Sequence, residues 1–155
     1  MKAEPNEMKD KLRIRKMLAS DAEELAKIEK EAFSMPWSKK AISELADIQY
    51  GIYLTAEYEG SPVGLAGLKN AAGEGEIDKV MVKKDLRRMG IADALLSELI
   101  RTGDAEGISA YTLEVRVSNA PAIGLYEKYG FVSEGVRPGF YDAPKEDALI
   151  MWKRN

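Results

Sequence analysis

Two arginines and a glycine stand where a strand-like run gives way to a helix-like one, in Arg87-Arg88-Met89-Gly90-Ile91-Ala92. Upstream, Ile77-Asp78-Lys79-Val80-Met81-Val82 alternates apolar and β-branched side chains with others, the period of a strand. Downstream, residues 91–100 carry apolar side chains at helical spacing. A helix that starts in a basic turn leaves backbone N–H groups with partial positive charge, and these favour a phosphate. Gly90 would let the backbone approach that phosphate closely, and Arg87 and Arg88 would add charge-assisted hydrogen bonds. The plain alternative is an ordinary helix start with solvated arginines. Neither a G-x-G-x-x-G loop opening a helix nor a G-x-x-x-x-G-K-[ST] loop is present. Gly73-Glu74-Gly75 precedes a strand and reads as a hairpin turn.

The composition narrows the chemistry. The chain has 155 residues, enough for one domain with a substantial core. It contains no cysteine, which removes disulfides, thiolate metal sites and a covalent cysteine intermediate. It contains no histidine, so proton transfer falls to carboxylate, tyrosine, lysine or water. No carboxylate spacing suggests a metal site, and none is expected. A formal net charge of −3 argues against a nucleic-acid partner. No apolar run reaches the ~20 residues of a membrane span, and the polar N-terminus shows no secretory signal. A cytoplasmic protein, monomeric or weakly dimeric, is expected.

The elements that must carry the basic turn follow in order. Residues 1–11 read as a flexible tail ahead of a single domain over 12–155. Leu12-Arg13-Ile14-Arg15-Lys16-Met17 reads as a half-exposed strand. Ser20 and Glu23 form a capping-box pattern that opens a helix with Leu25, Ile28 and Ala32 on one face. Ser38 can cap a second helix. Two strands flank Glu59-Gly60-Ser61, a third leads into the basic turn, and the helix beyond it is expected to stop near Gly103. A strand at 111–117 precedes a helix capped by Asn119, with Pro121 in its first turn and Gly130 at its end. Closing strands at 131–136 and 148–152 surround a loop at 137–147. The expected fold is α/β: a mixed sheet with helices packed on its faces.

Arg87, Gly90 and Ala92 meet the [QR]-x-x-G-x-[GA] signature, and this chain resembles the GNAT superfamily of N-acetyltransferases, in which that loop binds the pyrophosphate of acetyl-CoA. The run Leu113-Glu114-Val115-Arg116-Val117-Ser118-Asn119 through Leu125-Tyr126 to Gly130-Phe131 is similar to the corresponding stretch of the RimI subgroup, the ribosomal protein alanine N-acetyltransferases. Phe33-Ser34-Met35-Pro36-Trp37-Ser38 and the ending Tyr141 with Glu146-Asp147-Ala148-Leu149-Ile150-Met151 agree with it. The resemblance covers roughly residues 12–152. It departs at Val80-Met81-Val82, where the subgroup usually has I-A-V, and at Ala92. Nothing specific matches over residues 57–76.

The resemblance implies the GNAT fold, a mostly antiparallel sheet of six to seven strands with about four helices. It implies acetyl transfer from acetyl-CoA to the α-amine of a protein N-terminus, a ribosomal protein alanine in the RimI subgroup, by direct attack. Glu114 becomes the general base and Tyr126 the general acid. Arg87, Arg88, Met89, Gly90, Ile91 and Ala92 hold the pyrophosphate. Val80, Met81 and Val82 offer backbone groups to the pantetheine arm, and Asn119 and Tyr126 contact the cofactor. Pro36, Trp37, Glu114 and Tyr141 line the substrate slot. An α-ammonium, with a pKa of ~7.7–8.0, loses its proton far more readily than a lysine at ~10.4, so a carboxylate suffices as base.

Plainer readings stand beside each role. Glu114 can be a solvated carboxylate paired with Arg116 on the same strand face, Tyr126 a core aromatic, Asn119 only a cap, and Trp37 and Tyr141 only packing. Glu76 is an alternative base. A small-molecule amine or polyamine acetyltransferase, or a non-catalytic acyl-CoA-binding module, is the alternative function.

Overall fold

The computed structural model describes residues 11–155. The expected tail at 1–11 lies, but for Lys11, outside the described residues. The first strand of the described residues is β1 (Leu12–Lys16), whose Lys16 pairs with Leu54 of β2 (Gly51–Tyr58). Between them lie helices α1 (Ala22–Ala32) and α2 (Lys39–Glu44), which pack on one sheet face. Strands β3 (Ser61–Ala71) and β4 (Glu74–Val82) follow, then helix α3 (Ile91–Ala105) and strand β5 (Ala110–Arg116). Helix α4 (Ala120–Lys128) leads into β6 (Val132–Tyr141) and β7 (Glu146–Arg154).

The seven strands form one sheet in the order β1-β2-β3-β4-β5-β7-β6. Among the described strands only β4 and β5 run parallel, and α3 is the crossover between them. Among the described residues, four α-helices and a mostly antiparallel seven-stranded sheet are the architecture the motifs imply.

Two apolar layers sandwich the sheet. On one face Ile91, Leu95, Leu96, Leu99 and Ile100 of α3 are buried against Leu54, Val63, Leu68, Val82 and Tyr111. Each such side chain contributes about 1.5–3 kcal/mol of burial, which holds α3 firmly behind the β4 turn. On the other face Leu25 and Ile28 of α1 and Ile42 of α2 meet Met17, Tyr53, Leu65 and Met81.

Several local expectations change. Ser20 does not cap α1. Instead the Asp21 carboxylate accepts from the Leu18 N–H at 2.9 Å, in a short 3₁₀ turn ahead of the helix, because Arg15 holds it in place at 2.8 Å. Ser38 does cap α2, its hydroxyl accepting from the Ala41 N–H at 3.1 Å. Helix α3 runs past Gly103 to Ala105, and Gly107 makes the left-handed turn at φ 88°. Gly103 faces the Tyr111 ring so closely that a β-carbon would collide with its hydroxyl; Gly103 is small for packing, not for termination. The segment at 137–141 is strand rather than loop, since β6 pairs with β7 as far as Tyr141–Glu146.

Candidate active site

Strands β4 and β5 are paired only at Glu74–Ala110, Gly75–Tyr111 and Glu76–Thr112. Beyond Glu76, β4 stays bonded to β3 as far as Val82–Gly64, and β5 stays bonded to β7 as far as Arg116–Ala148. Each strand therefore keeps one partner and loses the other, and a wedge opens in the middle of the sheet. The inner edge of β4 presents unpaired backbone N–H and C=O groups, which an extended amide-bearing arm can satisfy as a missing strand would.

Val80 and Val82 turn their side chains into the α3 layer and Met81 into the α1 layer, so what these residues expose to the wedge is backbone. Directly after β4, Arg88 and Gly90 both take left-handed conformations, at φ 66° and 85°, and α3 starts at Ile91. Gly90 occupies the N-cap position and has no side chain to take the first N–H groups, which stay available to an anion. Nothing lies within 4 Å of where a Gly90 β-carbon would be, so the space above the turn is open. Arg87 and Arg88 are exposed there, with Arg87 Nε donating to the Val82 carbonyl at 3.3 Å. Met89 packs against the core, Ile91 is buried and Ala92 is half-buried, so these three contribute main chain. A shallow groove of about 290 Å³, lined by Met89, Gly90, Asp93, Ser97 and Tyr129, continues beside α3. An open edge, an anion-accepting helix start and free space over the glycine fit the pantetheine and pyrophosphate of acetyl-CoA.

The β5 side carries the ionisable groups. Glu114 is half-buried, and its Oε1 lies 3.4 Å from Arg137 Nε of β6, not against Arg116. Arg116 is committed elsewhere, to Glu146 at 3.2 Å, to the carbonyls of Pro144 and Asp142, and to the face of the Tyr141 ring. Tyr126 is buried against Phe131, with ring centres 5.8 Å apart. Burial, and secondarily Tyr141, pushes its phenol up to about 12, so it is protonated at neutral pH. Burial and then the Glu114 carboxylate raise Tyr141 in turn. Glu114, Tyr141 and Tyr126 thus form one electrostatically linked set. Asn119 caps α4 by accepting from the Ala122 N–H at 3.3 Å and is exposed. Glu76, the alternative base, is exposed at the apex where β4 and β5 are still paired.

Pro36 and Trp37 lie on the opposite side of β4, after α1. The Trp37 N–H donates to Glu29 Oε1 at 3.1 Å, and Trp37 packs on Lys79 of β4. Glu29 and Lys79 belong to this region and Arg137 to the β5 side, and no sequence motif points to any of the three. Glu29 did carry a signal: it falls on the buried stripe of α1 with Leu25 and Ile28, and a charge on such a stripe needs a buried partner. A larger groove of about 560 Å³ opens beside Thr102 and Glu106 at the other end of α3 and holds none of these residues.

The family model described as "Acetyltransferase (GNAT) family" matches residues 22–131, and the chain belongs to that family. It is an acetyl-CoA-dependent N-acetyltransferase. It is 36% identical over 149 residues (94% of this chain, 97% of the relative) to a Bacillus subtilis protein provisionally named a [ribosomal protein bS18]-alanine N-acetyltransferase. It is 33% identical over 126 residues (80% and 84%) to the Escherichia coli K12 protein named [ribosomal protein bS18]-alanine N-acetyltransferase. The crystal structure of the Escherichia coli ribosomal-protein-S18-alanine N-acetyltransferase superposes with a TM-score of 0.85 at 30% identity, covering 92% of this chain and 93% of that one. Among the described residues no helix is long and apolar enough to cross a membrane.

Proposed function

We propose that this enzyme acetylates the α-amine of a protein N-terminus, with the N-terminal alanine of a ribosomal protein of the bS18 kind as its target. The observation that carries this reading is the wedge itself, an open β4 edge that runs into the glycine-capped start of α3, with the half-buried carboxylate of Glu114 on β5, the strand across it, and a protonated phenol at Tyr126 of α4. The names of its relatives support the choice of target.

In this reading the neutral amine attacks the thioester carbonyl. The new C–N bond forms as the C–S bond breaks, and the electron pair of that bond leaves with sulfur. Glu114 takes the amine proton, directly or through a water, and Tyr126 supplies a proton to the departing thiolate. Backbone groups of Val80, Met81 and Val82 hold the pantetheine arm. Arg87, Arg88 and the main chain from Met89 to Ala92 hold the pyrophosphate, with Asn119 contacting the cofactor beside them. Pro36, Trp37 and Tyr141 wall the acceptor slot. The reaction runs in the cytoplasm, where ribosomal proteins are made.

The test is thiol release from acetyl-CoA with peptides beginning in Ala, Ser, Met or Gly, each with an internal lysine, and spermidine as the small-amine control. Mass spectrometry locates the acetyl group. The expected product carries it on the α-amine of the Ala peptide. Turnover with spermidine alone would move the function to small amines.

A further inference from the structure

Strand β4 carries an irregularity beside the wedge: Gly67 of β3 faces Lys79 and Leu68 faces Ile77, so Asp78 is an extra residue. A bulge of this kind turns two consecutive side chains to the same face. Here Asp78 and Lys79 both meet the α1 layer. Asp78 accepts from the Tyr53 hydroxyl at 2.8 Å and from Lys69 at 3.1 Å. The Lys79 ammonium is buried 2.6 Å from Glu29 Oε1, 3.9 Å from the centre of the Phe33 ring and 4.0 Å from that of Trp37.

This arrangement is costly as packing. The surrounding layer of Met17, Leu25, Ile42, Leu65 and Met81 is apolar, and an apolar residue at 79 would fill it without desolvating a charge. Burial already pulls the Lys79 pKa below its usual value, against the pull of Glu29. Glu29 Oε2 has no partner among the described residues, so the carboxylate is not satisfied by the pair alone. What the pair does provide is geometry. Residues 34–36 make no hydrogen bond to the rest of the described chain, and Glu29 Oε1 takes both the Lys79 ammonium and the Trp37 N–H. Glu31 ties the end of α1 to the Lys84 N–H and the Phe33 N–H donates to the Glu29 carbonyl at 3.0 Å, but it is Lys79 that joins the Phe33 and Trp37 rings to β4.

We propose that Lys79 is a positioning residue for the acceptor: by clamping Glu29, Phe33 and Trp37 onto the β4 bulge, it sets the slot between the 33–37 segment and the open edge of β4 to the width of a peptide N-terminus. The inference rests on the reading of the acceptor as a protein N-terminus. A charge shared between two ring faces and a carboxylate resists sliding in a way an aliphatic contact does not.

The experiment uses the full chain in a Trp152→Phe background, so that Trp37 is the one tryptophan. Lys79→Met is expected to raise the peptide KM roughly tenfold or more while the acetyl-CoA KM stays within about twofold. Trp37 emission should move to longer wavelength, and its backbone amide should exchange faster. Lys79→Arg keeps a cation that stacks on rings and should restore much of the peptide affinity. If Lys79→Met fails to fold, the double variant Glu29→Met with Lys79→Met replaces the buried pair by apolar side chains and removes the same clamp. Wild-type peptide KM and unchanged Trp37 emission in these variants would overturn the inference alone. A wild-type enzyme that binds acetyl-CoA but acetylates only small amines would retire the N-terminus reading, and the acceptor role of Lys79 with it, even where Trp37 is released.

Discussion

Glu114 pairs with Arg137, two strands away across β7, and not with Arg116 on its own strand. The distinction matters for chemistry. Arg116 is fixed by Glu146, two backbone carbonyls and the Tyr141 ring, whereas Arg137 is largely solvent-exposed and can give way. In the proposed mechanism, an arriving amine would meet a carboxylate whose counterion can move aside.

Replacing Glu114 by Gln should lower kcat by about 10²–10⁴-fold, the usual contribution of a positioned base. Acetyl-CoA affinity, read by calorimetry, should stay near wild type because the cradle lies on β4 and α3. Arg137→Ala should cost no more than ~1 kcal/mol in stability, since the pair is exposed, and should retain far more turnover than Glu114→Gln. Equal losses from the two variants would show that the ion pair, not the carboxylate, is what turnover needs.

Tyr126→Phe should reduce kcat while leaving both KM values nearly unchanged, because the ring still packs on Phe131 and only the proton donor is lost. With the phenol pushed up to about 12, its ionisation lies above the working range. The pH–rate profile between about pH 6 and 10 should then keep its shape in Tyr126→Phe and differ only in height. An alkaline limb that disappears in the variant would assign that limb to Tyr126 and contradict the burial argument.

Gly90→Val should weaken acetyl-CoA binding at least tenfold. The position needs φ 85°, which costs a β-branched residue about 1–3 kcal/mol, and the branched side chain would stand in the open space over the turn. Gly90→Ala separates the two effects: it pays part of the backbone strain but projects little into the cradle. Calorimetric Kd and thermal unfolding on both variants measure binding and strain independently.

Asp21 offers a stability test away from the site. Burial raises its pKa, but the Arg15 hydrogen bond, the Leu18 N–H and the Thr55 hydroxyl outweigh it and leave the carboxyl below its ordinary value. A folded-state pKa below the unfolded one means the stabilisation is present above the unfolded value of ~3.9 and is lost as pH falls through the folded value. Asp21→Asn should cost roughly 2–4 kcal/mol at pH 7 by urea denaturation, leaving Arg15 with Glu57 alone. The gap to wild type should close as the pH is taken below about 4.

The order of elements was legible in the sequence because it rests on local physics. Periodicity marked the described strands and α-helices, though not the full length of β6, Ser38 and Asn119 announced their helices, and Glu59 and Gly60 turn the β2–β3 hairpin at φ 51° and 81° as a two-residue loop requires. The basic turn with Gly90 was visible for the same reason, whereas Glu114 and Tyr126 took their expected roles from the resemblance of residues 113–131 to the RimI stretch. Three things depended on contacts between distant segments. The wedge exists because β4 and β5 part after Glu76, a choice made by the separate partners β3 and β7. Gly103 reads locally as a helix stop, yet its lack of a side chain serves the Tyr111 ring eight residues on, so α3 continues past it. Glu114 and Arg116 read as an ion pair because both lie on one face of β5, but Glu146 and Arg137, brought in by β7 and β6, separate them. Sequence by itself determined the order of the elements and which ionisable groups each carries; sheet order decided which of them meet, because electrostatic partners are chosen by distance in space.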